Sequence, residues 1–410
     1  MAGTFRSLRE RNVRWFFAGM LVSNIGTWVQ MTAMGLVVYR LTGKGTSLGL
    51  NVACQFLPML LLGAWCGARA DRVDRRRGTI VTQVAFAVQA LAVGALELTG
   101  HLTVPVIYVS SLVLGLVNAF DNPLRRGLVT EFVDREDMSN AMSLNTAVMT
   151  GSRVIGPALG ALLTNRFGAG WCFLGNAISY LAVLAALLTI DVSRLRKPPV
   201  AARGGTPVRD AFWFIWHDPL MRAVSIVLVV VSTFAFNYSV SLPLIADKRF
   251  GDDSLYGWML AVLSIGSVTG SLITASRRVV TLRYFALTVA TLGLGGLLLS
   301  VAPNVWLGYV ASIPMGIGGA GFIAGSNAIL QQRCPPDMRG RLLAFTAIAF
   351  LGSTPIGGPI TGWIGDQFGA SWSLAYGGVA SLLALAVLAR HWHISTANPI
   401  DQAVTSTVST

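Results

Sequence analysis

Between two long apolar runs the chain reads Gly67-Ala-Arg-Ala-Asp71-Arg-Val-Asp-Arg-Arg-Arg77. Five arginines and two aspartates are therefore concentrated in this short segment. Charges at the edge of a hydrocarbon layer are costly unless they pair with one another, cap a helix end, or stay on one side of a membrane. The segment predicts a charged loop that joins two membrane-spanning helices.

The composition predicts a protein with many such spans. Of 410 residues, 53% are hydrophobic and only 12% are charged, which is more apolar side chain than a soluble domain buries. Crossing a hydrocarbon core of ~30 Å takes about 20 apolar residues. Runs of this length indicate twelve spans, near residues 15–39, 47–68, 79–99, 103–124, 142–165, 171–191, 221–245, 254–276, 281–302, 305–331, 340–364 and 371–391. The runs are continuous rather than alternating, so we expect an all-α integral membrane protein and not a barrel.

The net charge of +13 would also suit a nucleic-acid-binding protein. The distribution of the charges along the chain distinguishes that class from a membrane protein. All but six of the 31 Lys and Arg residues fall in the N-terminal segment, the even-numbered loops with their flanks, and the C-terminal end. The six others are Arg40, Lys44, Arg153, Arg166, Lys248 and Arg249. By the positive-inside rule both termini are predicted to be cytoplasmic. No basic patch interleaved with aromatic residues indicates a nucleic acid partner.

An internal repeat divides the chain into two halves. Gly151-Ser-x-x-Ile-Gly156-Pro157-x-x-Gly160 in the fifth span recurs as Gly352-Ser-x-x-Ile-Gly-Gly-Pro-x-x-Gly in the eleventh. Repeated halves around a central cavity are typical of secondary transporters, so two pseudo-symmetric six-helix bundles are expected. The predicted boundaries are 1–191 for the first bundle, 192–220 for a cytoplasmic linker with an interfacial helix, 221–392 for the second bundle, and 393–410 for a disordered cytoplasmic tail.

The charged loop resembles a signature of the major facilitator superfamily, Gly-x-x-x-Asp-Arg-x-Gly-Arg-Arg. The matching residues are Gly67, Asp71, Arg72, Arg75 and Arg76. Asp74 replaces the second glycine of the family, which changes a tight turn. Residue types, spacing and position between the second and third spans all agree with this resemblance.

Asp71 has two interpretations. As a gate, it pairs with the arginines when a central cavity faces outward and releases them when the cavity opens inward, which biases the equilibrium between the two states. As part of a topogenic cluster, it merely lies among arginines that hold the loop in the cytoplasm. The gate is the favoured hypothesis, because a lone acid adds little to a positive-inside signal.

The fifth span resembles the family's antiporter motif, Gly-x-x-x-Gly-Pro-x-x-Gly-Gly, which accompanies exporters. Gly156, Pro157 and Gly160 align with it, while Ala161 replaces the last glycine. Glycine allows close approach of helices, and proline frees a carbonyl and kinks the helix. Ordinary packing of small residues remains the alternative.

A charge inside the fifth span, Arg153, requires compensation, because an unpaired charge at mid-membrane costs about 2.5–3.5 kcal/mol on insertion scales. The fourth span offers Asn118, Asp121 and Arg125 at helical spacing. We expect Asp121 to be the proton-titratable acid, with Arg153 or Arg125 as its partner. A static ion pair, or a water-exposed pair at the helix end, is the alternative. Glu97, near the outer end of the third span, is a second titratable candidate.

Polar and aromatic residues of the first, fourth, seventh and tenth spans are candidates for lining a substrate cavity. They are Asn24, Thr27, Trp28, Gln30, Asn118, Asn237, Tyr238, Asn327 and Gln331. Interhelical hydrogen bonding, which is the commonest role of such residues in membrane helices, is the alternative for each.

Further segments resemble one branch of the superfamily, the bacterial exporters that include enterobactin exporters and macrolide-efflux proteins. They are residues 8–16, 23–28, 55–58, 121–125 and 339–341. The resemblance covers nearly the whole chain. It implies a monomeric, proton-driven exporter of medium-sized amphipathic molecules, such as drugs, macrolides or siderophores, in the bacterial plasma membrane.

Other classes of function remain as alternatives. An importer or facilitator of a small metabolite is the nearest, and a non-transporting receptor or assembly platform is the next. An enzyme is not expected, because the sequence has no Walker A loop and no cluster of His and Cys residues. The dispersed cysteines and histidines predict neither a metal site nor a cofactor.

Overall fold

The computed structural model of the chain describes residues 6–70, 72–134, 136–195, 207–335 and 338–392. These residues form helices joined by short loops and contain no strand. The first six long helices are α1 (Arg11–Thr42), α2 (Gly45–Ala70), α3 (Arg75–Leu98), α4 (Val104–Glu131), α5 (Met138–Phe167) and α6 (Ala169–Thr189). They are followed by α7 (Pro207–His217), α8 (Pro219–Phe234), α9 (Tyr238–Leu244), α10 (Leu255–Ala275), α11 (Leu282–Val301), α12 (Val305–Arg333), α13 (Arg339–Leu351), α14 (Thr354–Phe368) and α15 (Trp372–Ala389).

Among the described residues, eleven helical segments are long and apolar enough to cross a membrane. Apolar sequence makes these segments stable in lipid, and local signals set their ends. Gly43 has a φ of 63°, so it ends α1 in the left-handed conformation that favours glycine. The prediction of an all-α integral membrane protein is confirmed by this architecture. The cytoplasmic orientation of the termini stays a prediction.

Two predicted spans differ from continuous helices. The eleventh, expected at 340–364, is divided into α13 and α14 around Gly352 and Ser353. Pro355, in the first turn of α14, has no N–H to donate to the carbonyl of Leu351, which interrupts the ladder of hydrogen bonds. With 13 residues in α13 and 15 in α14, each part is shorter than the roughly 20 residues that a helix needs to cross the hydrocarbon core.

The seventh span, expected at 221–245, is likewise divided into α8 and α9. The side-chain amide of Asn237 donates to the carbonyl of Thr233 at 2.8 Å. In a continuous helix that carbonyl would accept from the backbone N–H of residue 237, so a local side-chain bond replaces a helical one. A short π-helical turn, Ile245–Arg249, then completes the span.

The chain separates into two compact units. The first comprises Met1–Gly43 and Leu50–Ala202, and the second comprises Lys44–Gly49 and Arg203–Thr410. The first turn of α2 thus belongs to the second unit, whereas the predicted boundary placed all of α2 in the first bundle. The predicted tail at 393–410 lies outside the described residues.

The two units repeat the same helix pairings, as the internal sequence repeat predicts. In the first unit, α1 packs on α5 and α6, and α3 packs on α4 and α6. In the second unit, α8 packs on α13, α14 and α15, and α11 packs on α12 and α15. Side chains such as Phe16, Phe173 and Phe285 are fully buried within these units.

The predicted interfacial segment contains α7, which packs on α8 and α13. Ile215 of α7 is buried in the second unit, while Phe212, Trp213 and Trp216 are each about half exposed. Exposed tryptophans are typical of helices in the headgroup layer of a membrane. The interfacial position of α7 stays a prediction.

Candidate functional site

A buried ion pair within the first unit is the centre of the candidate site. Asp121 of α4 is 0% exposed, and its Oδ2 atom lies 2.5 Å from Nε of Arg125, one helical turn further along. Neither atom meets hydrogen-bond geometry with a partner, so the pair is a charge contact rather than an aligned hydrogen bond. The other oxygen, Oδ1, accepts hydrogen bonds from Thr82 Oγ1 at 2.7 Å and from Gln83 Nε2 at 2.9 Å.

Arg125 connects this pair to α1. Its Nη1 atom donates to Oδ1 of Asn24 at 3.0 Å, and the residue is only 7% exposed. Removing two charges from water is costly, and it is tolerated when polar neighbours satisfy the remaining lone pairs and N–H groups. Here α1 and α3 contribute such neighbours, so the pair on α4 connects three helices.

The sequence offered Arg153 or Arg125 as the partner of Asp121, and the structure places Arg125 in that contact. Arg153 of α5 lies over the ring of Trp28, with 5.6 Å between Cζ and the ring centroid. This is the geometry of a cation–π interaction. Asn118, expected beside Asp121, accepts a hydrogen bond at Oδ1 from Asn122 of the same helix at 2.8 Å.

The polar residues predicted on α1 form hydrogen bonds inside the first unit. Thr27 Oγ1 lies 2.9 Å from the hydroxyl of Tyr180, and Gln30 Nε2 donates to Gln89 Oε1 at 2.8 Å. Asn176 Nδ2 donates to Gln30 Oε1 at 2.6 Å. These are interhelical hydrogen bonds, which the sequence analysis gave as the alternative to lining a substrate cavity. Polar residues of the third and sixth spans were the available signal for these partners, and only the packing identifies which ones meet α1.

One cavity candidate of the second unit, Tyr238, lies in an aromatic cluster. Tyr238 packs on Phe236 with ring centroids 5.0 Å apart, and Phe236 also meets Phe350 at 5.0 Å. Asn327 Nδ2 donates to the carbonyl of Ile323 in its own helix at 3.0 Å. Gln331, one turn further along α12, is half-buried. Phe236 and Tyr238 are two residues apart in the sequence, whereas Phe350 belongs to α13, so only the packing shows that the three rings meet.

The charged loop is described except for Asp71, which lies outside the described residues. Arg75 Nη1 donates to the carbonyl of Gly127 and to Oε1 of Glu131, both at 3.2 Å. Arg76 Nε donates to the carbonyl of Leu187 at 2.9 Å. Two arginines of the signature therefore fasten the start of α3 to the ends of α4 and α6. Glu131 was not singled out from the sequence.

The remaining loop residues have different environments. Gly67 is half-buried, with open space where a Cβ would be, and Arg72 is exposed. Asp74 caps α3, since its side chain accepts from the backbone N–H of Arg77 at 2.8 Å. Aspartate is among the preferred N-cap residues, so the departure from the family's glycine has a structural use. Glu97 lies half-buried in the last turn of α3.

The fifth-span motif lies where α5 meets α1. A Cβ on Gly156 would lie 2.4 Å from Cβ of Trp28, and one on Gly160 would lie 2.8 Å from Cα of Val29. Both glycines therefore permit an approach of the two backbones that any side chain would prevent. Pro157 is accommodated within α5, which stays helical from Met138–Phe167.

Long apolar helices in two repeated units, with a charged pair buried among the helices of the first, define a polytopic membrane protein. The model of the transmembrane secretion effector family, MFS_3, matches residues 2–407. The chain belongs to this family, which confirms the predicted membership of the major facilitator superfamily. It is accordingly a transporter of the bacterial plasma membrane and not an enzyme.

Characterised relatives resemble the chain at moderate identity. The staphyloferrin A transporter of Staphylococcus aureus (strain NCTC 8325 / PS 47) is 24% identical over 263 residues, which cover 63% of this chain and 66% of that protein. The multidrug efflux pump Tap of Mycolicibacterium fortuitum is 24% identical over 367 residues, which cover 85% and 88%. A crystal structure of a POT family transporter has a TM-score of 0.73 at 10% identity, covering 93% of this chain and 96% of that one, and it supports the fold alone.

Proposed function

We infer that this transporter is an exporter that expels medium-sized amphipathic small molecules by alternating access, in exchange for protons. The buried pair of Asp121 and Arg125 carries the proposal, because a carboxylate held inside a helical bundle is a titratable element with direct mechanical consequences. The hydrogen bonds of the pair to α1 and α3 would pass a change in the charge of Asp121 on to the packing of those helices.

Proton uptake by Asp121 would remove the charge that attracts Arg125. It would also weaken the acceptance of hydrogen bonds from Thr82 and Gln83 of α3, since a neutral carboxyl is the poorer acceptor. Arg125 would then be held by Asn24 of α1 without its counter-charge. A proton therefore favours whichever packing of α1, α3 and α4 suits a neutral Asp121, and it shifts the population toward that state.

The charged loop is coupled to this shift in population through α4. Glu131, the partner of Arg75, lies on the same helix as Asp121. Ten residues separate the two acids, which corresponds to about 15 Å along a helix. Movement of α4 would therefore act on both sites, and in this proposal Asp71 joins the arginines as the cytoplasmic gate in one of the two states.

Direction and cargo rest on the relatives and on the fifth-span motif. One relative is named a multidrug efflux pump and another a staphyloferrin A transporter. Gly156, Pro157 and Gly160 resemble the motif that accompanies exporters. Drugs, macrolides and siderophores are therefore the substrates to test first.

The experiment measures cellular retention of a panel of macrolides, dyes and siderophores, with and without this protein, before and after collapse of the proton gradient. We expect lower retention that vanishes with the gradient. Asp121→Asn should raise retention to the level of cells without the protein, while the variant keeps its membrane level and melting temperature.

Three results would contradict this proposal. Gradient-dependent export retained by Asp121→Asn would remove Asp121 as the coupling residue, and a loss confined to Glu97→Gln would transfer that role to Glu97. Retention that increases with the protein present would indicate an importer instead.

A further inference from the structure

A small cavity lies at the break between α8 and α9, inside the second unit. It encloses about 10 Å³, which is the space that a single water-sized occupant needs. The end of α8, the start of α9, and parts of α11, α12 and α15 form its wall. Its polar side chains are those of Asn237, Ser241 and Ser373. A ligand in this cavity therefore contacts both parts of the divided seventh span and α15.

Asn237 presents a buried acceptor that has no protein partner. The residue is 4% exposed, and its Nδ2 atom donates to the carbonyl of Thr233 at 2.8 Å. Because a carbonyl only accepts, this bond fixes the orientation of the amide and leaves Oδ1 as an acceptor. The amide group also interacts with the hydroxyl of Tyr376, but Oδ1 forms no hydrogen bond with any atom of the described residues. Such an atom is costly to bury unless a ligand satisfies it.

The two serines that line the cavity also present acceptors. Ser241 Oγ donates to the carbonyl of Asn237 at 3.1 Å, and Ser373 Oγ donates to the carbonyl of Ala370 at 2.6 Å. A hydroxyl has one hydrogen, so each oxygen has only lone pairs left for an occupant. Three side-chain oxygens can therefore accept, whereas a water molecule has two hydrogens to donate. A cation can contact all three.

The end of α8 also favours a positive charge in the cavity. Phe234, the last residue of α8, and Ala235, its C-cap, both belong to the wall. The C-terminal carbonyls of a helix carry a partial negative charge, and carbonyls at breaks in membrane helices coordinate sodium in other transporters. A Cβ on Gly377 of α15 would overlap the carbonyl oxygen of Phe234, so glycine lets α15 approach this helix end.

The spans of the second unit carry no fixed charge that would repel a cation or neutralise it. Asp, Glu, Lys and Arg are absent from residues 223–246, 254–276, 284–302, 305–332, 342–365 and 371–389. A cation in the cavity is therefore held by neutral oxygens alone. Because affinity for a metal ion falls with the charge of its ligands, we expect a dissociation constant of roughly 1 mM.

We propose that this cavity binds one sodium ion, with Asn237 Oδ1, Ser241 Oγ and Ser373 Oγ among its ligands. Sodium takes neutral oxygen ligands, and potassium is larger than sodium and suits so small a space less well. The ion connects the break between α8 and α9 to α15 and thereby stabilises the divided seventh span. The site contains no titratable group, so it is independent of the proposed exchange for protons.

Equilibrium dialysis of the purified full-length protein in detergent against radioactive sodium tests the proposal. We expect saturable binding that unlabelled NaCl displaces and that KCl displaces at least about tenfold less effectively. Ser241→Ala and Ser373→Ala each remove one oxygen ligand and should each weaken sodium binding about tenfold, the loss expected for one contact to a charged group. Melting temperatures verify that each variant is folded.

Ser239→Ala is the matched control. Ser239 lies on α9 beside the site, but it is exposed and is not part of the cavity wall. Its replacement should leave sodium binding unchanged. A second readout is the melting temperature of the wild type, which should rise by about 2 °C or more in NaCl compared with KCl at equal ionic strength, because a ligand of the folded state stabilises it. Ser373→Ala should reduce this difference.

The proposal is overturned if folded wild-type protein shows no saturable sodium binding, which would leave a buried water as the occupant. It is also overturned if KCl displaces the label as effectively as NaCl, or if Ser239→Ala weakens binding as much as the two variants of the cavity wall. Because binding is measured at equilibrium without a gradient, it does not depend on export. Sodium binding together with failure of gradient-driven export would support this site and contradict the exporter.

Discussion

Thr46 donates two hydrogen bonds to the carboxylate of Asp366, at 2.8 Å from its backbone nitrogen and 2.6 Å from its hydroxyl. The other carboxylate oxygen accepts from the backbone N–H of Gly45 at 2.7 Å. An acid of α14 thus satisfies the first backbone donors of α2, a task usually performed by a capping residue of the helix itself. Lys248, 3.5 Å from the same carboxylate, adds a favourable charge.

Replacing Asp366 by alanine should loosen the start of α2. The N–H groups of Gly45 and Thr46 would lose their acceptor, at a cost of about 1–2 kcal/mol for a missing cap. We expect faster amide hydrogen exchange in residues 44–49, measured by mass spectrometry. Asp366→Asn, which keeps one acceptor oxygen, should lie between wild type and alanine. Unchanged exchange in the alanine variant would contradict the capping role.

Alanine at Gly160 should destabilise the first unit, while alanine at Gly151 should not. A Cβ at Gly160 would lie 2.8 Å from Cα of Val29, whereas none of the described atoms lies within 4 Å of one at Gly151. Overpacking typically costs about 1–3 kcal/mol, and alanine favours an open helical site by up to about 1 kcal/mol over glycine. Thermal unfolding of the two variants, side by side, measures the difference. Equal melting temperatures would contradict the close packing of α1 and α5.

Asp218 has two separable roles in the second unit. Its Oδ2 atom accepts from Arg333 at 2.6 and 2.9 Å, and its Oδ1 atom caps α8 by accepting from Leu220 and Met221, both at 2.9 Å. Asp218→Ala loses both roles, while Asp218→Asn keeps a side chain suited to the cap. We therefore expect the alanine variant to unfold at the lower temperature.

Arg333 allows the ion pair to be measured by itself. The arginine is 9% exposed, so removing its acidic partner leaves a largely buried charge. A double-mutant cycle that combines Asp218→Asn with Arg333→Met should give a favourable coupling free energy for the pair, because Arg333→Met costs less stability once Asp218 has lost its charge. Additive effects of the two substitutions would show that the pair contributes nothing beyond its separate contacts.

Asp71 and Asp74 provide a matched pair for the gate hypothesis. Asp74→Asn retains an N-cap residue for α3 and should leave transport near the wild-type rate. Asp71→Asn should reduce transport severely without lowering membrane level, because a gate loses one side of its charge pairing. The rate of export of an identified substrate provides the measurement. Wild-type transport by Asp71→Asn would favour the topogenic interpretation.

Local signals predicted much of the candidate site but not its partners. The spacing of Asp121 and Arg125 is visible in the sequence, because residues four apart face the same side of a helix. Thr82, Gln83 and Asn24 come from other helices, and nothing in their local sequence indicates that they surround a carboxylate. The break between α13 and α14 had a local signal in Pro355, which the apolar run obscured.

By itself the sequence determined that this chain crosses a bilayer many times in two repeated halves, and that it carries the loop and fifth-span motifs of its superfamily. These properties depend on runs of apolar residues and on short spacings, which are local. Only the tertiary structure decided that Arg125 rather than Arg153 contacts Asp121, and that Arg153 lies over Trp28. A side chain in a helix meets partners from helices distant in sequence, so the rotation and approach of each helix, which Gly156 and Gly160 permit, select them.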